Sequence, residues 1–290
     1  MRVLLAGATG AVGRLLLPLL LEAGHEVTGL TRSADGLDRI RASGARAVRA
    51  DALDAKGLGR AVAEAAPQAV IHQLTDLSGA DGAANDRLRR EGTRHLVDAA
   101  RAAGVGRIVA QSISWAYAPG DGPADESVPL DGTGEQPRAR IVAGVRALEE
   151  TVAELPEAVV LRYGILYGPG TWYAPGGPVA AALGGDPGAR FLGSLAADDS
   201  VSSFVHVGDA ARAALLALEW PAGAYNVVDG EPAAGHAWVP VLARALGVPA
   251  PGRTAGGAPW ARGAADRRAR ARGWTPSYPS WRDGFARQEG

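Results

Sequence analysis

The first half of the chain alternates short apolar stretches with longer stretches of helical periodicity, and this alternation constrains the fold more than any other sequence feature. The apolar stretches are continuous and rich in β-branched residues, as is typical of strands covered on both faces. They are Val3–Ala6, Glu26–Leu30, Ala47–Ala50, Ala69–Leu74, Arg107–Gln111 and Val159–Tyr163. The helical patterns between them are Ala11–Ala23, Leu37–Ser43, Leu53–Ala66, Asp86–Ala103 and Arg138–Leu155. This repetition predicts an α/β fold, a Rossmann-like doubly wound parallel sheet with right-handed crossovers.

The second half has a different texture, because residues 168–188 are rich in glycine and proline and predict a long loop. A strand, a helix, a strand and two further helices are predicted after it, at Ser202–Val207, Asp209–Leu218, Ala224–Val228, Trp238–Leu246 and Ala261–Arg272. We therefore expect an NAD(P)-binding Rossmann domain over residues 1–168 and 202–228. A smaller, discontinuous substrate-binding lobe is expected over residues 169–201 and 229–290.

Composition and charge exclude several classes of function. The chain carries 30 basic and 31 acidic residues, so its net charge of −1 provides no attraction to nucleic acid or to an anionic membrane. Cysteine is absent, which excludes disulfides and thiolate sites and agrees with a cytoplasmic protein. The apolar N-terminus is interrupted by Gly7, Gly10 and Gly13 and split by Arg14, which disfavours an export signal. No apolar run approaches the about 18 residues of a membrane helix.

Neither the histidines nor the arginines form a recognisable site for another kind of partner. The histidines at positions 25, 72, 95, 206 and 236 lack metal-ligand spacing, so no metal is expected. A run of arginines between Arg262 and Arg272 fits the solvated face of a helix better than a nucleic-acid patch. The expected partner is therefore a small-molecule substrate.

The sharpest local signal is the GxxGxxG motif at Gly7, Gly10 and Gly13. It follows a predicted strand and opens a predicted helix, which is the context of a dinucleotide-binding loop. Glycines allow the backbone to approach a pyrophosphate, whose charge meets the free amides at the start of the helix.

The end of the second strand indicates which dinucleotide is bound. Arg32 stands there, nineteen residues after Gly13, and no acidic residue occupies this position to bind a ribose diol. A guanidinium is suited to a 2′-phosphate, which favours NADP(H), with NAD(H) as the alternative. Asp51, after the third strand, could bind the adenine amino group or could cap the helix that begins near Leu53.

A series of motifs then occurs in order along nearly the whole chain: GATGAVGR, TRS, RADALD, AVIHQLT, EGTRHLVDAARAAGVGRIVAQS, LRYGILYGPGT, FVHVGDAARA, YNVVDGEP and RARGWTPSYPSWRDGF. Together they resemble the extended short-chain dehydrogenase/reductase superfamily, specifically its NAD(P)-dependent epimerase/dehydratase group. The resemblance implies that the glycine loop holds the pyrophosphate, that residues 51–53 flank the adenine, and that residues 73–75 line the ribose side. Residues 163–165 would run beside the nicotinamide. With Arg32, the cofactor-binding residues are then Gly7, Thr9, Gly10, Ala11, Val12, Gly13, Arg14, Arg32, Asp51, Ala52, Leu53, Gln73, Leu74, Thr75, Ser112, Tyr163, Gly164 and Ile165.

The resemblance ends at the catalytic centre. The superfamily transfers protons with a Tyr-x-x-x-Lys pair on the fifth helix, but none of the six tyrosines here is followed four residues later by lysine. Alignment on Leu148 and Glu149 places Ile141 and Val145 at the two positions, and Lys56, the sole lysine, lies in the third helix. The remaining candidates for a catalytic hydroxyl are Ser112, Ser114, Tyr117 and Tyr163. Each could equally be a structural hydroxyl that hydrogen-bonds within the protein.

We therefore expect an NADP(H)-dependent oxidoreductase, or an epimerase/dehydratase-type enzyme, that acts on a small oxygenated metabolite with an atypical catalytic site. A nucleotide-sensing pseudoenzyme is the alternative from another class, and a non-redox isomerase or cyclase on the same fold is a third. The helices near Asp86–Ala103 and Arg138–Leu155 are expected to expose more apolar surface than one sheet face needs. Since these helices pair across a twofold axis in the resembled group, a homodimer is expected.

Overall fold

The structure, a computed structural model, describes residues 1–76, 82–192 and 195–287. Its strands are β1 (Arg2–Ala6), β2 (Glu26–Thr31), β3 (Arg46–Arg49), β4 (Ala69–His72), β5 (Arg107–Ile113), β6 (Glu157–Tyr163), β7 (Ile165–Tyr167), β8 (Val201–Ser202), β9 (Phe204–His206), β10 (Gly223–Val227) and β11 (Ala233–Ala234). Seven of them form one sheet in the order β10-β6-β5-β4-β1-β2-β3.

The strand order reverses at β1, and this reversal marks the place where α/β sheets bind ligands. Strand β1 runs parallel to both β2 and β4, with Val3 opposite Val27 on one side and Ala69 on the other. Pairs β2–β3 and β4–β5 are also parallel. The predicted fold class, a Rossmann-like doubly wound α/β sheet, is confirmed.

Helices connect the strands of this sheet and continue into the C-terminal region. Their bounds are α1 (Gly13–Glu22), α2 (Ala34–Ala42), α3 (Ala55–Ala65), α4 (Gly82–Arg87), α5 (Thr93–Ala102), α6 (Arg138–Val152), α7 (Pro178–Leu183), α8 (Val207–Leu216), α9 (Gly235–Ala245), α10 (Arg267–Arg270) and α11 (Trp281–Ala286). A single turn of π-helix over Leu88–Gly92, called the π-turn below, joins α4 to α5. Short 3₁₀ turns occupy Pro187–Leu192 and Ala217–Glu219.

Two predicted helices differ from the observed ones. The single helix expected over Asp86–Ala103 is divided by the π-turn, a local insertion that helical periodicity does not reveal. The helix expected over Ala261–Arg272 is reduced to α10. Gly263 adopts φ +73°, outside the helical region, and the amide of Ala264 donates instead to Ser203 Oγ at 2.9 Å.

Contacts divide the chain into two compact units. The first consists of Met1–Ser112, Gly132–Leu161 and Ala211–Tyr225, and the second of Ile113–Asp131, Arg162–Ala210 and Asn226–Gly290. The domain bounds expected from the sequence stay a prediction.

Each unit has its own apolar core. The core of the first unit lies between the sheet and helices α3, α5 and α6, with Leu4, Val70, Leu96 and Ile108 fully buried. The core of the second unit is aromatic. Phe204 stands edge-on to Trp238 and to Phe285, with ring centroids 5.1 and 5.3 Å apart.

Candidate cofactor and catalytic site

The glycine loop in the first unit requires glycine at Gly7 and Gly13, for two different reasons. Gly7 adopts φ +89°, and a Cβ there would lie 2.5 Å from the carbonyl oxygen of Gln73. A Cβ on Gly13 would collide with the Gly7 carbonyl group and lie 2.9 Å from Ala8 Cα. Gly10 is exposed, and its amide donates to Gly7 O at 3.0 Å. The loop is therefore folded tightly on itself and on the end of β4, and leaves backbone open to a ligand at Gly10.

Helix α1 begins at the end of this loop without a side-chain cap. Val12 occupies its N-cap position without a side-chain cap, and the first turn contains no acidic residue. Thr9 and Ala11 are partly buried in the loop, and Arg14 is exposed on the first turn. These features fit a pyrophosphate, because its charge would lie at the positive end of a helix that has no acidic residue in its first turn.

The segment after β4 is held in place by a buried histidine. His72 is fully buried, and its Nδ1 accepts a hydrogen bond from the Leu74 amide at 3.2 Å. Its Nε2 therefore carries the proton and donates to Thr93 Oγ1 at 2.9 Å. Burial lowers the pKa of His72 to about 4, so the ring is neutral at physiological pH. The sequence gives no signal for this role, because nothing in the spacing of the histidines connects His72 to Thr93.

Residues 73–75, expected on the ribose side of the cofactor, lie beside the glycine loop. The Gln73 amide donates to Ala6 O at 2.8 Å, and Gln111 Nε2 donates to Leu74 O at 2.9 Å. Thr75 is exposed. The ends of β1, β4 and β5 are thus tied together around this segment.

Arg32 lies just past β2 and forms an ion pair that the sequence did not indicate. Its Nη1 is 3.4 Å from Asp76 Oδ2, and 58% of its side chain is exposed. The carbonyl oxygen of Arg32 also accepts a hydrogen bond from Arg49 Nε at 3.1 Å. A 2′-phosphate at this position would share the guanidinium with Asp76.

The structure resolves the capping question at Asp51. Helix α3 begins at Ala55, and its N-cap is Asp54, whose Oδ1 accepts from the Gly57 amide at 3.0 Å. Asp51 Oδ1 instead accepts from the Leu53 amide at 2.9 Å, and the Asp51 side chain is exposed. Helix capping therefore does not account for Asp51. Ala52, between them, is buried.

Helix α6 carries apolar residues where the resembled superfamily has its catalytic pair. Val145 is buried and Ile141 is partly buried. Ser112, at the end of β5, is buried and donates to Glu149 Oε1 on α6 at 2.6 Å. The Ser112 hydroxyl is thus directed to a carboxylate of its own unit. Its catalytic role stays a prediction.

In the second unit, Tyr117 belongs to a buried polar cluster. Its hydroxyl donates to Asn226 Oδ1 at 2.6 Å and accepts from Arg162 Nη1 at 3.0 Å. The Arg162 guanidinium also lies 5.0 Å from the centre of the Tyr117 ring. Burial raises the pKa of Tyr117 to about 12, although the charge of Arg162 opposes the shift. These contacts account for Tyr117 as a structural hydroxyl and make it a weak acid, and its catalytic role stays a prediction.

Ser114, Tyr163, Gly164 and Ile165 also belong to the second unit. Ser114 and Tyr163 are buried, and the Ser114 amide donates to Tyr163 O at 2.8 Å. The Tyr163 hydroxyl lies 3.3 Å from the Ala210 carbonyl oxygen. A Cβ on Gly164 would lie 2.8 Å from Ser203 O, and the Ile165 amide donates to the same oxygen at 2.8 Å. Backbone packing therefore requires glycine at position 164, whether or not a cofactor is bound.

The prediction of excess apolar surface on the helices near Asp86–Ala103 and Arg138–Leu155 is wrong. Among the described residues, the large apolar side chains that are exposed are Met1 and Leu216, and neither lies on α4, α5 or α6. The outer face of α5 instead carries Arg94, which pairs with Asp98 at 2.8 Å and with Glu154 at 2.6 Å. Charged side chains cover this face, so a dimer built on it would need a polar interface.

None of the helices in the described ranges is long and apolar enough to cross a membrane. Within the same ranges, no group of three or more histidine, aspartate or glutamate side chains could hold a metal ion.

Comparison with known proteins shows similarity along nearly the whole chain. The sequence model of the NAD dependent epimerase/dehydratase family matches residues 3–228. A Streptomyces sp protein, 3-diazoavenalumate denitrifying reductase, is 46% identical over 99% of this chain and 100% of its own length. A 2-alkyl-3-oxoalkanoate reductase of Stenotrophomonas maltophilia is 29% identical over 86% of this chain and 77% of its own length. Among solved structures, the Thermus thermophilus UDP-glucose 4-epimerase complex with NAD has a TM-score of 0.76 and 27% identity, covering 99% of this chain and 97% of that one.

Proposed function

We propose that this chain, which belongs to the NAD dependent epimerase/dehydratase family, is an NADPH-dependent reductase that replaces a diazo group by hydrogen. The observation that carries the proposal is the 46% identity, over both full lengths, to a reductase named for the denitrifying reduction of a diazo compound. The name of that relative's substrate also ends in "-ate", which denotes a carboxylate. The proposed substrate is therefore a small diazo compound that carries a carboxylate.

The absence of a Tyr-x-x-x-Lys pair agrees with this chemistry. A bound dihydronicotinamide would supply hydride, whose electron pair forms the new C–H bond of a diazonium substrate, while the C–N bond breaks and its pair leaves with N₂. A carbonyl reductase must protonate an alkoxide and needs a proton donor. Loss of N₂ leaves no alkoxide, so the proposed reaction forms no oxyanion that the protein must protonate. Ile141 and Val145 can then occupy the positions of the proton-transfer pair.

The chain's own task is to bind and orient the two reactants. Gly7, Gly10 and Gly13 with the first turn of α1 would hold the pyrophosphate, Asp51 would meet the adenine, and the segments 73–75 and 163–165 would contact the ribose and nicotinamide. The domain bounds given above, a cytoplasmic location and a homodimer belong to the same proposal. Light scattering at micromolar concentration tests the last of these, and a monomeric mass would contradict it.

Isotope transfer tests the reaction. We would incubate the protein with 4-deuterated NADPH and 3-diazoavenalumate, and in parallel with a panel of ketones, and compare each with a reaction lacking protein. We expect N₂ release and deuterium on the carbon that carried the diazo group. Deuterium in an alcohol alone would reassign the protein as a carbonyl reductase. Bound NADPH without transfer to either class would favour a nucleotide sensor, and conversion without deuterium would favour a non-redox isomerase or cyclase.

Cofactor choice is tested at Arg32, which is proposed to bind the 2′-phosphate. Hydrogen bonds to charged groups contribute about 1.5–3 kcal/mol, so Arg32→Ala should lower the preference for NADPH by about 10–100-fold, with little change in NADH affinity. Asp76→Asn should strengthen NADPH binding by releasing the guanidinium. Arg41→Ala is the matched control, because Arg41 is similarly exposed and pairs with Asp38. Equal affinities of the wild type for NADPH and NADH would refute the assignment.

A further inference from the structure

We propose that Arg89 binds the carboxylate of the substrate, an inference that rests on the proposed function and specifies its substrate class. Arg89 lies in the first unit, on the π-turn between α4 and α5. π-turns are rare and often occur at functional sites. The turn brings Arg89 against α6, where its Cδ is 3.6 Å from the position that a Cβ on Gly144 would take.

The Arg89 side chain is partly buried, and no ion pair to it is present in the described part of the chain. Its neighbour Asp86 is already occupied, because Arg90 Nε donates to both Asp86 oxygens at 3.2 and 3.1 Å. Within the described residues, no hydrogen-bond or ion-pair partner contacts Arg89. Burial lowers the pKa of Arg89, and the charge of Asp86 only partly opposes the shift. Partial burial of a cation that lacks an ion pair is unfavourable, and an anionic ligand would relieve this cost.

Arg89 lies beside the part of α6 where the resembled superfamily has its catalytic lysine. Gly144 immediately precedes Val145, which stands where the resembled superfamily has its catalytic lysine. The chain therefore has no lysine at position 145, but it holds Arg89 against the same turn of α6. Glycine at 144 leaves room for Asp86 beside α6, because a Cβ there would collide with the Asp86 carboxylate unless that side chain moved.

Charge and geometry select a carboxylate as the ligand. Arg89, Arg90 and Asp86 together carry one net positive charge, which a monoanion neutralises and a phosphate dianion would exceed. A planar guanidinium can bind the two carboxylate oxygens with paired hydrogen bonds. Arg89 would therefore orient the substrate by the end that does not react.

Substrate pairs that differ only in this charge test the proposal. We would measure kcat and KM for 3-diazoavenalumate and its methyl ester with the wild type, Arg89→Gln, Arg89→Lys and the control Arg87→Gln. Arg87 lies on α4, is exposed, and pairs with Glu91. In Arg89→Gln we expect KM to rise by about 10–100-fold for the acid and to stay unchanged for the ester, with partial recovery in Arg89→Lys. Equal changes for acid and ester, or no change for either, would overturn the role.

A binding measurement separates this proposal from the proposed reaction. We would titrate cinnamate and cinnamamide, as unreactive aromatic probes, into NADPH-loaded wild type and Arg89→Gln by calorimetry. If neither diazo compound is turned over, the proposed reaction fails, and the anion site is judged on this titration. Cinnamate bound more tightly by the wild type than by Arg89→Gln, with no such difference for cinnamamide, supports the site. Equal cinnamate affinity of both proteins, or no cinnamate binding by the wild type, overturns it.

Discussion

A methyl group added at Gly13 should disrupt the glycine loop. A Cβ there would collide with the Gly7 carbonyl oxygen and would lie 2.9 Å from both Ala8 Cα and the Gly7 carbonyl carbon. Carbon atoms normally pack about 3.5–4.0 Å apart, so the backbone would have to move by more than about half an ångström. Neither neighbour is a side chain that can rotate away. Overpacking of this kind costs about 1–3 kcal/mol, and the shift would displace the amides that are proposed to meet the pyrophosphate.

The control is Gly59→Ala in α3. Gly59 lies in the interior of that helix, and no atom lies within 4 Å of its added Cβ. Alanine is favoured over glycine in a helix interior, so this variant should be more stable than the wild type by about 0.5–1 kcal/mol.

Chemical denaturation and NADPH titration of both variants form the assay. We expect Gly13→Ala to lose about 1–3 kcal/mol of unfolding free energy and to bind NADPH much more weakly. Gly59→Ala should keep its NADPH affinity. Wild-type stability and wild-type NADPH affinity in Gly13→Ala would refute the reasoning about the loop. Equal destabilisation of the two variants would show that the effect is not specific to close packing at Gly13.

Two further predictions concern buried polar groups of the second unit. Tyr117→Phe should lower the unfolding free energy by about 1–3 kcal/mol, because it removes the buried hydrogen bonds to Asn226 Oδ1 and from Arg162 Nη1. Normal stability with slow turnover would instead support a catalytic Tyr117. Burial raises the pKa of Asp229 to about 7, so between about pH 4 and 7 the folded chain holds a proton that the unfolded chain releases. The unfolding free energy therefore falls as the pH rises from about 4 towards 7, by up to about 4 kcal/mol in all. Below about pH 4 both states hold the proton and this contribution to stability is fully present. The contribution of His72 to the unfolding free energy rises with pH over much of the same range, since burial lowers the pKa of its folded state to about 4. Urea unfolding of wild type and Asp229→Asn at pH 4.5 and 8 isolates the contribution of Asp229 to the unfolding free energy. An identical pH dependence of the unfolding free energy in both proteins would contradict the prediction.

The fold and the glycine loop could be predicted because their causes are local. A continuous apolar run predicts a buried strand, and a glycine motif between a strand and a helix predicts a dinucleotide loop. The absence of Tyr-x-x-x-Lys also follows from the residues alone. Local patterns failed where one residue alters the backbone, as at Gly263 and at the π-turn of Leu88–Gly92.

The hydrogen-bond and ion-pair partners of the candidate site residues were decided only by tertiary structure. Arg32 meets Asp76 across 44 positions of the chain, Ser112 meets Glu149 across 37, and Tyr117 meets Asn226 across 109. No spacing rule connects such pairs, since the folding of the sheet brings them together. The sequence by itself therefore determined the fold class, the place of the glycine loop and the lack of a Tyr-x-x-x-Lys pair. Which hydroxyls and cations are already engaged depended on tertiary structure, because hydrogen bonds and ion pairs require contact distances that only packing sets.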